Sequence, residues 1–289
     1  MTLFRASVCS SLLLISVLGA SPAFGQATPP ADPAHPGVRA AGMGGAFTAV
    51  ADDASAVYWN PAGLASGSFF SLVVDHTTSD TTSGSLIGLS TPPLGLSYYR
   101  TATGREANGR NSLVAHHAGV TLVHSLADRL AIGGTLKAVH GIVESGADPS
   151  VSSTKFDADL GVMASGSLGK LGLTVHNLFE PAFEGFSAPE TLERRVRAGI
   201  SLNTSRLSTV AADVDFSGEV REAALGAELH PVKLAWIRGG VHWRIHGGDG
   251  EPVGSVGGSV AVYGSTVVDG QVSFGRGDPG WGVGLRFVF

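Results

Sequence analysis

Three pairs of identical charged residues stand two residues apart in this chain: Arg195 and Arg197, Asp213 and Asp215, Asp157 and Asp159. In a strand, residues i and i+2 share a face. Each pair therefore projects to one side, and facing strands of opposite sign can pair their charges. Catalytic chemistry is harder to find. Ten histidines are present, but no Ser-His-Asp arrangement stands out, and the chain reads as a non-enzyme. His116 and His124 share a face with Val114, Ala118, Val120 and Leu122 and sit near opposite ends of one stretch; His76 and His140 also lie near stretch ends. His116 and His117 are adjacent, so a strand sends them to opposite faces and they cannot chelate one ion. No metal site and no cofactor is expected. The glycine string GSVGGSV (254–260) has no Lys-Ser/Thr and no following helix, so it is not a phosphate loop.

The elements that must carry these charges are short strands. The clearest is WGVGLRFVF, where Trp281, Val283, Leu285, Phe287 and Phe289 share one face and Gly282, Gly284, Arg286 and Val288 the other. The same alternation sets Val196, Ala198, Ile200 and Leu202 against the Arg195 and Arg197 face. It sets Val210, Ala212, Val214 and Phe216 against Asp213 and Asp215, and Phe156, Ala158, Leu160 and Val162 against Asp157 and Asp159. Strands are expected near 67–77, 84–91, 93–102, 111–126, 129–144, 153–168, 170–178, 193–204, 207–217, 221–230, 232–245, 254–264, 266–276 and 280–289. Several have the length that spans a bilayer when tilted. An even count fits a closed barrel, whose lack of an edge leaves no backbone group unpaired in lipid. Longer connections fall at 101–112, 144–153, 179–192 and 245–253. The third carries Phe179, Phe183 and Phe186 and reads either as a ligand contact or as packing over the barrel mouth.

Composition agrees with a transmembrane antiparallel β-barrel of about 14 strands. Forty-one glycines in 289 residues is about double ordinary usage. Residues 1–25 read as a signal peptide, with Arg5 ahead of the apolar run SLLLISVLGA and small residues before Gln26. The single cysteine, Cys9, lies inside it, so no disulfide framework is expected. Without Arg5 the chain holds 18 basic against 24 acidic residues, a net charge near −6, which gives nucleic acid no footing. No apolar run of helical membrane-spanning length follows the signal. A periplasmic β-sandwich is the competing fold.

Ahead of the first strand stands AGMGGAFTAVADDASAVYWNPAGLA (41–65). A barrel of this size leaves a lumen wider than its own side chains can fill, and a small-residue segment suits it. Gly44 and Gly45 allow close approach to the wall. Asp52 and Asp53 are expected to pair with Arg195, Arg197, Lys137 or Arg286, Pro61 to break the segment, and Gly63 to allow the turn into strand one. The expected organisation is signal 1–25, hatch or plug 26–65 and barrel 66–289, with Trp281, Phe287 and terminal Phe289 as the assembly signal.

GVRAAGMGGAFTAVADDASAVYWNPAGLA resembles the N-terminal signature of the FadL/TodX-like outer-membrane proteins, and more closely that of their PorV/PorQ and TraF-like branch. GVTLVHSLADRLAIGGTLKAVHG, FDADLGVMAS, GKLGLTVHNLFEP and RRVRAGISL extend the match over nearly all of the mature chain. The resemblance implies a fourteen-stranded barrel with an N-terminal hatch, in which Asn60, Pro61 and Ala62 lie near the ligand. It implies passage or holding of a hydrophobic small molecule at the outer membrane of a Gram-negative bacterium, or alternatively a docking, shuttle or structural subunit of a secretion or conjugation system. The expected partners are outer-membrane lipid, the barrel assembly machinery, a hydrophobic ligand and a secretion-system partner.

Overall fold

The computed structural model describes residues 36–79, 82–103, 112–144, 150–184, 189–205, 207–246, 250–275 and 279–289. The proposed signal segment with Cys9 lies outside them, as does Phe186. Sixteen strands are present: β1 (Ser71–Thr78), β2 (Thr82–Thr91), β3 (Leu94–Thr103), β4 (Ser112–Ala127), β5 (Leu130–Glu144), β6 (Val151–Ser165), β7 (Gly169–His176), β8 (Ala182–Phe183), β9 (Glu190–Thr191), β10 (Arg195–Ser205), β11 (Ser208–Ser217), β12 (Val220–Val232), β13 (Ala235–His246), β14 (Val253–Tyr263), β15 (Thr266–Phe274) and β16 (Gly280–Val288). Fourteen of them close into one antiparallel barrel in which each pairs with the next and β16 returns to β1; β8 and β9 form a separate two-stranded ribbon. A β-sandwich is thereby excluded. Each of the fourteen barrel strands falls where the alternation predicts it, with no boundary more than four residues away.

Alternation explains the wall. Ile200, Leu202, Val210, Val214, Phe216, Trp281, Val283 and Leu285 are exposed on the outside, while Arg195, Arg197, Asp157, Asp159, Asp213, Asp215 and Arg286 are buried inside. An apolar exterior around a charged interior is the arrangement a bilayer demands, since lipid offers charge no solvent and no partner. The barrel ends differ. At the end carrying residues 71 and 288, six connections are two or three residues long, such as 92–93, 128–129 and 264–265. Every longer connection lies at the opposite end.

Residues 36–64 are all buried or half-buried and touch the inner face of the wall. Small residues and sparse charge favour neither a long helix nor a strand here. The segment folds into two short helices, α1 (Val38–Gly42) and α2 (Ala56–Trp59), and a 3₁₀ turn, Pro61–Ser66. Two local expectations change. Pro61 opens the 3₁₀ helix instead of only breaking the chain, because its fixed φ suits a first helical position. Gly63 makes no turn into β1: a Cβ there would overlap the Ala51 carbonyl, so close approach within the segment is what requires glycine. Phe289 stands just past β16 and exchanges backbone hydrogen bonds with Phe70 at 3.0 and 3.3 Å. Trp281 lies on the outer surface and Phe287 is half-buried.

The facing assignment has a direct test. Arginine at Ile200, outward and near mid-strand, should cost about 2–4 kcal/mol, whereas Arg197→Lys, inward beside Asp215, should cost less. Urea unfolding of the two variants in detergent micelles, followed by heat-shifted electrophoretic mobility, measures the difference.

Candidate functional site

The N-terminal segment meets the wall through glycines on the inward face of most barrel strands. A Cβ at Gly226 or Gly240 would overlap the Met43 backbone, and Gly257 lies against the Cα of Gly42. Gly172 and Gly199 meet Thr48, and Gly88 meets the Ala54 carbonyl. Gly95 receives Leu64 and Val57, while Gly133 and Gly161 receive Pro61 and Asn60. The barrel's high glycine content thus forms an internal girdle that admits the segment's backbone to contact. Gly44 (φ 64°) and Gly45 (φ 82°) turn the chain in left-handed conformations open to glycine. Gly44 packs on the backbone of Gly240 and Val241.

Asn60 is the central tie of the motif. It is fully buried; its Nδ2 donates to the carbonyls of Thr48 (2.9 Å) and Val162 (3.2 Å), and its Oδ1 accepts from the Ala62 N–H (3.1 Å). It therefore binds two parts of the segment to β6. Pro61 sits against Gly133, and Ala62 packs with Ala131 and Met163.

The acids of the segment have an unforeseen partner. Arg39 pairs with Asp52 (2.6 Å), Asp53 (3.0 Å) and Glu228 of β12 (2.9 Å). Asp53 also reaches Arg286 (3.3 Å). Arg238 joins Glu228 (2.5 Å) to Asp269 (3.3 Å), and Arg286 completes the network with Asp269 (2.8 Å). Of the four basic partners expected for Asp52 and Asp53, only Arg286 takes part. Arg195 and Arg197 pair with Asp215 (2.6 and 2.7 Å), and Lys137 with Asp159 (2.6 Å) and Asp157 (3.2 Å). The adjacent strands supply these acids, Asp215 directly opposite Arg197 and Asp157 directly opposite Lys137, so the ion pairs form without the segment. Asp213 makes a different contact, accepting the backbone N–H groups of Phe47 (2.9 Å) and Thr48 (2.8 Å). Arg197 lies over the Trp59 ring at 4.5 Å, a cation–π contact.

Burial alone would raise the Asp53 carboxyl; the Arg39 and Arg286 guanidiniums outweigh it and hold the group at about 2. Arg39 is held well above its ordinary value: burial lowers it, and Asp52, Glu228 and Asp53 more than compensate.

A second constellation, which the sequence reading missed, faces the longer-loop end. Tyr99 stacks on His117 (4.1 Å), Tyr58 of α2 meets Tyr99 edge-on (5.2 Å) and stacks on His176 (5.7 Å), and Trp59 continues the series to Phe47 (5.7 Å). Lys137 reaches the Tyr99 hydroxyl (3.4 Å) and Asn177 (2.9 Å). Nearby, Phe183 of the β8–β9 ribbon is buried over Gly141 with Ala115, Val139 and Val143, while Phe179 stays exposed. The two described aromatic residues of that loop therefore part company: Phe183 packs inward and Phe179 does not. At the other end, beneath the segment, a cavity of about 520 Å³ is lined by Asn203, Ser208, Thr209, Glu228, His230 and Trp236, among others. Among the described residues no cluster of three His, Cys, Asp or Glu side chains could hold a metal ion. His116 and His117 do take opposite faces, His117 inward and His116 outward against the Tyr98 hydroxyl (2.8 Å).

No protein-family model and no curated protein sequence matches the chain. Solved structures match its fold. The CymD monoaromatic hydrocarbon channel superposes with a TM-score of 0.70 at 15% identity, over 86% of this chain and 96% of that one. The toluene transporter TbuX of Ralstonia pickettii gives 0.65 at 15%, over 86% and 97%. A FadL homologue of Pseudomonas aeruginosa gives 0.63 at 10%, over 89% and 99%. At these identities the likeness establishes a shared fold.

The Arg39 network predicts how the segment is released. A carboxyl held below its ordinary 3.8 contributes docking energy that is complete above that value and is lost as pH falls through the folded value near 2. Limited proteolysis of the folded barrel should leave residues 38–58 protected down to about pH 4 and expose them only on further acidification. Arg39→Gln removes one of the two cations from each of the buried acids Asp53 and Glu228, which keep Arg286 and Arg238, and should weaken docking by about 1–3 kcal/mol, making the segment more protease-sensitive at neutral pH while the barrel stays assembled.

Proposed function

We propose that this chain is an outer-membrane channel of the FadL type, passing a hydrophobic small molecule, with residues 36–66 as its hatch. The observation that carries the reading is a lumen occupied by a non-covalently held segment, with an apolar and aromatic track leading to it. Phe183, Val139 and Val143 form its outer part; Tyr99, His117, Tyr58 and His176 continue it to α2. A small apolar ring gains by leaving water for such a surface. The remaining wall is charged and offers it nothing. The similar fold of the CymD monoaromatic hydrocarbon channel and the toluene transporter TbuX supports a ligand of similar size and apolarity.

On this reading Asn60, Pro61 and Ala62, with Asp52, Asp53, Gly44 and Gly45, gate the lumen. Residues 1–25 direct export and are cleaved, and Trp281, Phe287 and Phe289 present the finished strand to the barrel assembly machinery. The charges Arg195, Arg197, Asp157, Asp159, Asp213 and Asp215 keep the wall rigid around the hatch. The motif resemblance of residues 37–65 to the PorV/PorQ branch supports a second reading, a docking subunit of a secretion system, in which the hatch is a permanent filler.

Deleting residues 38–58 separates the two. A gate should yield a folded barrel of raised conductance in planar bilayers. Asn60→Ala, which removes three hydrogen bonds worth roughly 1 kcal/mol each, should alter uptake of a monoaromatic hydrocarbon without constitutive leakage. Unchanged uptake in both variants, with a secretion protein co-purifying, would favour the docking reading.

A further inference from the structure

The cavity of about 520 Å³ at the short-turn end has the size of a small-molecule site, and its lining is mixed in character. Alternation turns Asn203 of β10, Thr209 of β11, Glu228 and His230 of β12 and Trp236 of β13 inward, in phase with Arg197, Asp213, Glu222 and Arg238. Asn203 is paired in register with Thr209, and Thr209 with Glu228. One strand further, His230 and Trp236 stack with ring centroids 4.5 Å apart and planes inclined by 14°. A flat aromatic surface and a set of hydrogen-bonding side chains thus share one cavity.

The polar groups are open to a ligand. The Thr209 hydroxyl donates to Asn203 Oδ1 (3.2 Å). The Asn203 Nδ2 is left as a donor without a partner among the described residues, and the Thr209 oxygen as an acceptor beside it. Asn203 is exposed and Thr209 half-buried. Glu228 is already held by Arg39 and Arg238, so a charged ligand finds no free carboxylate, Lys or Arg among the described lining residues. Covering Asn203 and Thr209 with a hydrocarbon would strip them of water and return nothing. The upper end of the lumen has the same mixture: Tyr99 stacks on His117, and Lys137 reaches the Tyr99 hydroxyl at 3.4 Å. A sugar would suit the lower hydroxyls and amide but gains little from Phe183, Val139 and Val143 above. A single ring carrying one hydroxyl suits both ends. Thr209 and Trp236 stand two strands apart, about 10 Å across the sheet, a gap such a molecule bridges with a contact at each end.

We propose that this cavity is a ligand station for a neutral aromatic bearing a hydroxyl group, a phenol. Its ring lies against the Trp236–His230 pair, while its hydroxyl donates to Thr209 and accepts from Asn203. The proposal rests on the channel reading and narrows its ligand from a hydrophobic ring to a hydroxylated one. Glu228, the wall partner of Arg39, lines the same cavity, so the station adjoins the ion pair that holds α1.

The test is equilibrium dialysis of full-length protein in phosphatidylcholine nanodiscs against p-cresol, toluene and methyl glucoside, with empty nanodiscs subtracted. It is run at neutral pH, where a phenol is uncharged. Wild type should bind p-cresol roughly tenfold more tightly than toluene. The combined Asn203→Leu, Thr209→Val variant should lose that preference by weakening p-cresol alone, whereas Trp236→Leu should weaken both aromatics. Heat-shifted mobility confirms folding, and Thr209→Val alone, with a smaller loss in the same direction, replaces the double variant should that fail to assemble. Equal binding of p-cresol and toluene by wild type, or a preference kept in the variants, overturns the proposal. Methyl glucoside bound more tightly than p-cresol, with the same dependence on Thr209, overturns the aromatic class. Conductance of the 38–58 deletion tests the channel by itself, so failure of the station and failure of the channel are told apart.

Discussion

β1 and β16 meet along the full length of β1, from Ser71 opposite Val288 to Thr78 opposite Trp281. That seam removes the last open edge of the sheet, and the rest of the molecule follows from it. In lipid an unpaired strand edge leaves each backbone polar group several kcal/mol short of a partner, so the sheet must close. Closure divides every strand into an outward face that lipid solvates and an inward face that it cannot reach. Most charge then goes inward. Arg195, Arg197, Arg238, Arg286 and Lys137 all point inward, and acids of neighbouring strands meet them.

A ring of fourteen strands is too wide for its side chains to fill, and closure thereby creates the need for the inner segment. Two kinds of contact hold that segment, and they differ in character. The glycine girdle is steric and spread over most strands, from Gly226 and Gly240 through Gly172 to Gly133 and Gly161. The Arg39 network is electrostatic and local, joining α1 to Asp52, Asp53, Glu228 and, through them, Arg238, Arg286 and Asp269. A steric fit tolerates sliding when the segment moves as a body. An ion-pair network breaks at identifiable atoms. On the proposed hatch reading, this contrast would make the α1 side the point of release and the Asn60-Pro61-Ala62 side the anchor.

The aromatic series and the charged wall divide the lumen in the same spirit. Phe183, Tyr99, His117, Tyr58 and His176 lie toward β3–β7, whereas the Arg39 network occupies the side of β12–β16. An apolar molecule crossing the barrel would meet rings on one side and ion pairs on the other. Displacing the aromatic contacts costs dispersion and area, which the molecule itself replaces; displacing ion pairs would strand buried charge.

The strands, their inward and outward faces and the inward charges were legible in the sequence because a period of two acts residue by residue and needs no knowledge of partners. Ile200 against Arg197 is such a local statement. The small-residue run at 41–65 also announced itself by composition. Which charges meet was not legible. Of the expected partners of Asp52 and Asp53, Arg286 does reach Asp53, but Arg195, Arg197 and Lys137 are satisfied by acids of the adjacent strands, and Arg39, thirteen residues ahead of Asp52 in the same segment, is brought back by the fold of α1. The girdle was equally hidden: a glycine on an inward phase looks the same whether it faces water or backbone. Alternation and composition, being local, are properties the chain carries by itself. Ion-pair partners, the Tyr58–Tyr99–His117 series and the glycine contacts depend on which strands stand opposite one another across a closed lumen, and only the tertiary structure decides that.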